Sequence, residues 1–311
     1  MDKPNIFTAK NLLERPNEIP TVILQPNGKL KLNPDILPPD SEQKDMEFDM
    51  VVDFGLTLKH LQEPVPVNER IISNQPHLTI LGLRDPDVIS QMSKITEIAN
   101  DPAKNPDNPQ DRKEYRNNLK QIYQKIAYAL KEKIGDDETA ILAPKNGGKF
   151  VKEIAEKILT GENIQWFGYR MSRIQKKDGG LMVGTIFDEN NPDLSKAKKL
   201  VFFDDCMASF ISCKATLEMI KSDLVEKGVE INSKEILIAV SAGVQRSMQE
   251  ITSDEAQKYF GFKDINALTG ILVYAMNDHY YLISTEIDPK TGEKIIKQVV
   301  GDMGSWTKPI E

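Results

Sequence analysis

The sequence is poor in cysteine and histidine, which limits the chemistry open to it. Its two cysteines, Cys206 and Cys213, lie in one segment, while the three histidines, His60, His77 and His279, are scattered along the 311 residues. These positions form neither a zinc-binding spacing nor a Ser-His-Asp arrangement. A zinc module and a serine hydrolase are therefore both disfavoured.

Long apolar runs and an excess of basic residues are also missing. No stretch approaches the roughly 18 consecutive apolar residues of a membrane-spanning helix, and the first 20 residues lack the apolar core of a signal peptide. The formal net charge is −7, whereas nucleic-acid-binding proteins usually present a basic face. We therefore expect a cytoplasmic protein whose partner is neither a membrane nor a nucleic acid.

Residues 1–70 differ from the rest of the chain in their proline content. Prolines such as Pro38 and Pro66 interrupt short apolar runs in this segment, so long helices are not expected there. We interpret residues 1–70 as an irregular arm or a small strand-rich appendage, and residues 71–311 as the main domain.

In the main domain, apolar runs alternate with amphipathic segments. Residues 111–134 repeat Leu, Ile and Tyr at helical spacing, which predicts a long helix. Continuous apolar runs occupy residues 139–143, 199–203 and 235–241. Runs without polar alternation are typical of strands covered on both faces, so we predict an α/β fold with a parallel sheet flanked by helices. Runs at 280–287 and 294–300 predict a C-terminal β-hairpin.

The segment after the second apolar run carries the residues that suit a phosphosugar. Asp204 and Asp205 directly follow the predicted strand, and Ser209 and Ser212 lie where the next helix should begin. In α/β sheets, ligands bind beyond the carboxyl ends of strands, and phosphates favour a helix N-terminus. The acids would accept hydrogen bonds from ribose hydroxyls. The alternative is a strand that ends in solvated acids and a serine that only caps the helix.

The run FDDCMASFIS at residues 203–212 resembles the phosphoribosyl-pyrophosphate loop of uracil phosphoribosyltransferases, whose pattern is roughly Val-Asp-Pro-Met-Leu-Ala-Thr-Gly-Gly-Ser. Further segments resemble the same family in the same order. They are QPHLTILGLR (75–84) with the helix at 111–134, ILAPKNGGKF (141–150), WFGYR (166–170) and VVGDMGSW (299–306). We therefore interpret the chain as a divergent relative of this family, with a type I phosphoribosyltransferase fold.

The resemblance implies an activity and a set of site residues. The reaction would transfer a phosphoribosyl group from phosphoribosyl pyrophosphate to a pyrimidine base, converting uracil to UMP, with Mg²⁺ as cofactor and a homo-oligomer as the assembly. The residues implied at the phosphosugar are Asp204, Asp205, Ala208, Ser209 and Ser212. The cations implied at the pyrophosphate are Lys145, Arg84 and Arg170. The residues implied on the base side are Gly301, Asp302 and Gly304, with Asp302 also at the metal.

Departures from the family pattern fall in the same loops. Phe210 and Ile211 replace two adjacent glycines, and a bulky residue at positive φ is costly. Ser305 and Trp306 replace an Asp-Arg pair, and for Trp306 burial is favoured over stacking on a base. A catalytically degenerate relative that binds a nucleotide or a protein partner is therefore the alternative function, and transfer to a different base is a third.

Overall fold

The computed structural model describes residues 4–14, 21–55, 63–145, 148–187, 193–277, 282–287, 290–300 and 306. The strands are β1 (Asn5–Thr8), β2 (Val22–Leu24), β3 (Leu30–Leu32), β4 (Glu47–Phe48), β5 (Met50–Asp53), β6 (Leu78–Ile80), β7 (Thr139–Pro144), β8 (Ile164–Gln175), β9 (Leu181–Phe187), β10 (Lys199–Phe203), β11 (Cys206–Met207), β12 (Glu235–Val244), β13 (Asp264–Val273), β14 (Ala275–Met276), β15 (Leu282–Ile287) and β16 (Lys294–Val300). The helices are α1 (Ala9–Glu14), α2 (Pro86–Asn100), α3 (Pro109–Ile134), α4 (Gly148–Ala155), α5 (Ile211–Glu226), α6 (Gln245–Ile251) and α7 (Asp254–Phe260).

A ten-stranded sheet forms the centre of the molecule, in the order β1-β5-β9-β8-β7-β10-β12-β13-β6, with β11 beside β12. Every pairing from β8 across to β6 is parallel. The strands β1, β5 and β9 extend the other edge in antiparallel fashion. The predicted parallel α/β core is therefore confirmed, and its apolar strands β7, β10 and β12 lie at its centre.

Helices cover both faces of this sheet. The registers place Leu142 of β7 beside Phe167 of β8 and Phe202 of β10, so these three side chains share a face. Tyr169 belongs to that face, and its hydroxyl meets Thr216 of α5 at 3.0 Å. Phe203 belongs to the other face, where its ring meets Tyr123 of α3 edge-on at 6.4 Å. The acids that follow Phe203 thus emerge between two helical layers.

Parts of residues 1–70 pair with the main sheet. The strands β1 and β5 enter it through β9, while β2, β3 and β4 form a separate antiparallel sheet. That small sheet packs a second apolar cluster around Phe48, which is fully buried. At the other end of the chain, β15 and β16 pair in antiparallel fashion, so the predicted C-terminal hairpin is confirmed.

No helix within the described ranges is both long enough and apolar enough to cross a membrane.

Gly270 permits a close approach between β13 and β12 next to the candidate site. A Cβ at this position would lie 2.3 Å from the Ser241 carbonyl oxygen, and backbone cannot move away as a flexible side chain can. We expect Gly270→Ala to lower the free energy of unfolding by about 1–3 kcal/mol, because overpacking displaces the backbone. Urea unfolding measures this loss, with Gly180→Ala as the control.

Gly180 is a suitable control because a Cβ there would meet mainly the far end of the Lys176 side chain. Gly180→Ala should therefore lower the free energy of unfolding less than Gly270→Ala does. Equal losses would contradict the steric argument.

Candidate functional site

The candidate site lies where the chain reverses the direction in which it adds strands to the sheet. From β7 the chain proceeds outward to β8 and β9, then returns to β10 on the other side of β7 and continues to β12 and β13. Since β7 and β10 are parallel neighbours, the two connections leave their carboxyl ends in opposite directions and open a crevice. Ligands of open α/β sheets bind in such crevices.

Two acids, Asp204 and Asp205, stand at this crevice, held by hydrogen bonds within their own loop. The Asp205 N–H donates to Asp204 Oδ1 at 2.8 Å, and the Cys206 N–H donates to Asp205 Oδ1 at 2.7 Å. Ser241 of β12 donates both its N–H, at 2.9 Å, and its hydroxyl, at 2.5 Å, to the Asp205 carbonyl. The neighbouring strand therefore fixes the loop backbone, whose own N–H groups hold both carboxyl groups.

The surroundings of the acids disfavour their charged forms. Both side chains are partly buried. Burial raises the pKa of Asp204, and the neighbouring charge of Asp205 raises that pKa further. Burial also raises the pKa of Asp205, against a hydrogen bond from the Cys206 N–H that lowers it. The pair would gain from a bound cation or from ligand hydroxyls that donate to it.

Arg173 of β8 is the basic side chain that the structure brings to this loop. Its Nε donates to Ser212 Oγ at 3.4 Å, and its charge lowers the pKa of both acids. Arg170 lies on the opposite face of β8, because side chains alternate along a strand and Tyr169 shares the face of Arg173. Arg170 and not Arg173 was predicted at the site, because the residue pattern of β8 does not show which of its faces meets α5.

The loop between the acids and α5 is largely buried. Ala208 and Ser209 are 4% and 2% exposed, and the Ala208 carbonyl accepts a hydrogen bond from the Ser247 hydroxyl at 2.6 Å. Ser212, in the first turn of α5, is partly exposed. Of the two serines predicted at the phosphate, Ser212 is thus the one open to a ligand in this conformation.

Phe210, the N-cap residue of α5, has a φ of 45° and a ψ of −3°. It is the only non-glycine residue with positive φ in the described part of the chain, and its ring is 3% exposed. Phe210 thus adopts a left-handed backbone that glycine, the residue of the resembled family at this position, reaches without strain. A left-handed conformation costs a residue with a Cβ about 1–2 kcal/mol.

Packing around Lys214 holds Phe210 in this conformation. The Lys214 Nζ lies 5.4 Å from the ring centre of Phe54, 5.9 Å from that of Phe210 and 5.6 Å from that of Tyr259. Lys214 is 2% exposed, and the Tyr259 hydroxyl donates to Glu218 Oε1 at 2.7 Å. Strained residues persist where their surroundings over-determine them, and these cation–π contacts supply that support.

Two further cations predicted at the pyrophosphate, Lys145 and Arg84, lie at different distances from the acids. Lys145 directly follows β7 and is exposed, and its N–H donates to the Tyr169 carbonyl at 2.7 Å. The register of β7 with β10 carries it alongside the acids. Arg84 is also exposed, but it follows β6, three strands from β10, or about 14 Å at the usual strand spacing. The structure therefore brings Lys145 to the crevice and leaves Arg84 at the edge of the sheet.

The base side of the predicted site is only partly described. Gly301, Asp302 and Gly304 lie outside the described residues. Trp306 is 8% exposed and stacks on Tyr115 of α3, with ring centres 5.0 Å apart and planes inclined by 19°. The prediction that Trp306 is buried is confirmed.

Tyr123 is a residue near the acids that the sequence analysis treated only as helix core. It is fully buried between Phe150, 6.1 Å away, and Phe203, 6.4 Å away. Burial raises its pKa first, followed by the charges of Asp205 and Cys206. By strict geometry its hydroxyl has no hydrogen-bond partner within the described ranges, although the Ser241 side chain lies close enough to lower this pKa.

Tyr123→Phe is therefore expected to stabilise the protein by about 1 kcal/mol, because it removes an unsatisfied buried hydroxyl and keeps the ring. Urea unfolding checks this, with Tyr169→Phe as the control. Tyr169 is equally buried, but its hydroxyl bonds Thr216, so its loss should destabilise. A destabilising Tyr123→Phe would show that the hydroxyl has a partner in solution.

The acids can hold a metal ion only together with a ligand. No group of three or more His, Cys, Asp or Glu residues suited to a metal occurs among the residues that the structure describes. Mg²⁺ is often held by one or two carboxylates plus the phosphates of a substrate. Asp204 and Asp205 fit that mode, since burial, the largest cause of their raised pKa values, leaves their negative charges poorly solvated.

Comparisons with known proteins give structural neighbours only. No family model and no curated protein matches the chain. The AQ2163 protein from Aquifex aeolicus is 12% identical, covering 66% of this chain and 91% of that one, with a TM-score of 0.47. Adenine phosphoribosyl transferase from Trypanosoma brucei, in complex with AMP, pyrophosphate and ribose-5-phosphate, is 14% identical over 74% of this chain and 94% of its own, with a TM-score of 0.42. Purine phosphoribosyltransferase from Pyrococcus horikoshii is 17% identical over 50% and 83%, with a TM-score of 0.32. The solved structures similar to this chain thus include phosphoribosyltransferases, at low identity.

Proposed function

We propose that this protein transfers a phosphoribosyl group from phosphoribosyl pyrophosphate to a nitrogenous base. The observation that carries the proposal is the acid pair Asp204–Asp205 at the carboxyl end of β10, in the crevice where the sheet reverses direction. A short loop leads from this pair into α5. A phosphosugar suits this arrangement, because hydroxyls can bond the acids while a phosphate meets the start of the helix.

Each part of the donor then has a group to bind it. Asp204 and Asp205 accept hydrogen bonds from the ribose hydroxyls. The 5′-phosphate meets Ser212 and the first amides of α5, with the charge of Arg173 nearby. Lys145, at the end of β7 alongside the acids, meets the pyrophosphate. Arg84 and Arg170 have no role in this arrangement, because they lie at the sheet edge and on the opposite face.

The reaction breaks the bond between C1′ and the pyrophosphate oxygen and forms one between C1′ and a ring nitrogen, which then loses its proton. The positive charge that develops on the sugar needs no covalent partner. Catalysis comes from holding donor and acceptor in line and from neutralising the leaving group with cationic side chains. Mg²⁺, held by Asp302 as the resemblance implies and by the acid pair, would add charge neutralisation at the pyrophosphate.

Uracil is the proposed acceptor, on the resemblance of residues 299–306 to the family's base-binding loop. Purine bases are the second class of acceptor to test. The homo-oligomeric assembly implied by the same resemblance is also proposed, and sedimentation velocity measures it.

Calorimetry and turnover test the function together. Phosphoribosyl pyrophosphate is titrated into the protein with Mg²⁺, and radiolabelled uracil, adenine and hypoxanthine are each assayed for conversion to the nucleotide. Saturable binding with turnover of one base supports the proposal and names the acceptor. The absence of binding at millimolar donor would overturn it.

Phe210 favours a second candidate function, a relative that has kept the fold and lost turnover. The resembled family has glycine at this position, whereas here a buried ring lies at the start of α5, where the phosphate loop ends. In that case the protein binds a nucleotide or a protein partner through the same crevice. Donor binding without turnover of any base supports this candidate.

A further inference from the structure

Two arginines in the first turns of α3 lie outside the roles described so far. Arg112 and Arg116 are four residues apart, so their side chains are neighbours on one face of the helix. The Arg116 guanidinium lies over the Phe150 ring at 4.2 Å, and its Nη2 is 3.7 Å from Glu153 Oε2. The planar group of Arg116 is thus held in place by α4.

Arg112 carries a positive charge and hydrogen-bond donors that no described residue pairs with. Within the described ranges it forms no ion pair and no side-chain hydrogen bond, and its Nε is buried without a partner. Buried donors are nearly always satisfied in native proteins. Burial lowers the pKa of Arg116, the Glu153 charge opposes this, and the Arg112 charge adds to the lowering. The two guanidinium groups therefore repel each other at a helix N-terminus, which itself favours anions over cations.

The direction of α3 places these arginines beside the crevice. Lys199, at the start of β10, donates to the Ile134 carbonyl at the end of α3, at 2.9 Å. Tyr123, in the middle of α3, contacts Phe203 at the end of β10. The helix therefore runs antiparallel to the strand. Arg116 lies seven residues before Tyr123, about 10 Å further out past the carboxyl edge of the sheet.

Side chains from three parts of the chain meet around Arg116, past the carboxyl edge of the sheet. Phe150 belongs to α4, which begins three residues after Lys145. Tyr115, next to Arg116, carries the stacked Trp306. The arginines therefore border the start of α4, which closely follows Lys145, and the stacked pair of Tyr115 and Trp306.

We propose that Arg112 and Arg116 form an oxyanion subsite that binds a phosphate or carboxylate group of a ligand in the crevice. A guanidinium presents a rigid fork of donors that matches either group in a bidentate manner. Stacking on Phe150 holds one fork in place, and a bound anion would satisfy the buried Nε of Arg112 and end the repulsion between the two charges.

The oxyanion could come from either of two ligands of the proposed reaction. This inference therefore rests on the proposed function. The pyrophosphate of the donor is one source, and a carboxylate on the acceptor base is the other. Binding of an isolated anion to the arginines does not require turnover, so the subsite can be tested apart from the reaction.

Calorimetry with inorganic pyrophosphate and with orotate, a pyrimidine carboxylate, tests the subsite and distinguishes the two sources. Arg112→Gln should weaken binding of the recognised anion by about tenfold or more, since hydrogen bonds to charged groups are strong. Arg112→Lys, which keeps the charge and loses the fork, should recover only part of that loss. The control is Lys113→Gln, which removes the same charge from an exposed neighbouring position and should change affinity less than about twofold.

The outcomes separate the subsite from the reaction. Arg112-dependent binding of either anion, in a protein that binds no phosphoribosyl pyrophosphate, would keep the subsite and overturn the proposed function. If wild-type protein binds neither anion, or if Arg112→Gln and Lys113→Gln weaken binding equally, the subsite is overturned. Unfolding midpoints of all variants, measured alongside, confirm that each is folded under the conditions of the titration.

Discussion

Replacing both acids, Asp204→Asn with Asp205→Asn, is expected to weaken binding of phosphoribosyl pyrophosphate by about 100-fold or more. Each carboxylate would accept a charge-assisted hydrogen bond from the ligand, and such bonds are worth about 1.5–3 kcal/mol each. The amides keep the oxygen that accepts the Asp205 and Cys206 N–H groups, so the loop should retain its shape. Calorimetry with Mg²⁺ measures the loss, and unchanged affinity would place the donor elsewhere.

The ionised acids should destabilise the folded protein when no ligand is bound. The pKa of Asp204 is raised above 3.8 in the folded state, so the folded protein binds more protons than the unfolded chain between 3.8 and the raised value. The free energy of unfolding therefore falls as pH rises through that window, and it stays lower above it. Asp204→Asn should gain about 0.5–2 kcal/mol at neutral pH, and the gain should vanish as the pH approaches 3.8.

Asp137→Asn is the matched control, because it should change stability in the opposite direction. Hydrogen bonds from Lys198 and then from Lys199 hold the pKa of Asp137 at about 2. Its stabilising contribution is present above the unfolded value of 3.8 and is lost as pH falls toward 2. Urea unfolding at several pH values should show Asp204→Asn gaining and Asp137→Asn losing at neutral pH. A loss for both would contradict the conclusion that ionised Asp204 destabilises the folded protein.

The core of the fold could be predicted from the sequence because each of its central strands has a local residue pattern. The strands β7, β10 and β12 are continuous apolar runs, and burial on both faces produces such runs. The helix α2 was missed, although Asp85 caps it, Pro86 occupies its first turn, and Val88, Met92 and Ile95 recur at helical spacing on its buried face. That signal is local too, so the sequence alone is sufficient to predict this helix.

The site was only partly predictable, because its cations are set by geometry between elements. Asp204 and Asp205 follow from a strand end, which sequence reveals. The choice of Arg173 over Arg170 depends on which face of β8 meets α5. The arginines of α3 depend on the direction in which that helix crosses the sheet. No residue pattern within one segment specifies either relation.

Phe210→Ala is expected to destabilise the protein more than Phe210→Gly, which reverses the usual order of these two residues. Both variants remove a ring that is 3% exposed, a loss of about 3–5 kcal/mol. Alanine keeps the cost of a Cβ at a φ of 45°, whereas glycine adopts that angle freely. The glycine variant should therefore be the more stable of the two by about 1 kcal/mol.

Urea unfolding of both variants measures the difference, with Phe260 as the control position. Phe260 is fully buried and has no positive φ, so there Phe260→Gly should be the less stable variant, as glycine usually is. The same order at both positions would show that the left-handed backbone of Phe210 costs nothing in solution.

The Phe210→Gly protein also decides between the two candidate functions. It restores the glycine of the resembled loop and removes the ring from the start of α5, where the 5′-phosphate is proposed to lie. If the wild-type protein binds phosphoribosyl pyrophosphate and converts a base, and Phe210→Gly leaves the affinity for the donor unchanged, the ring lies clear of the ligand and the enzyme proposal stands. If only Phe210→Gly binds the donor, the ring blocks the phosphate, and the natural protein has kept the crevice for another partner.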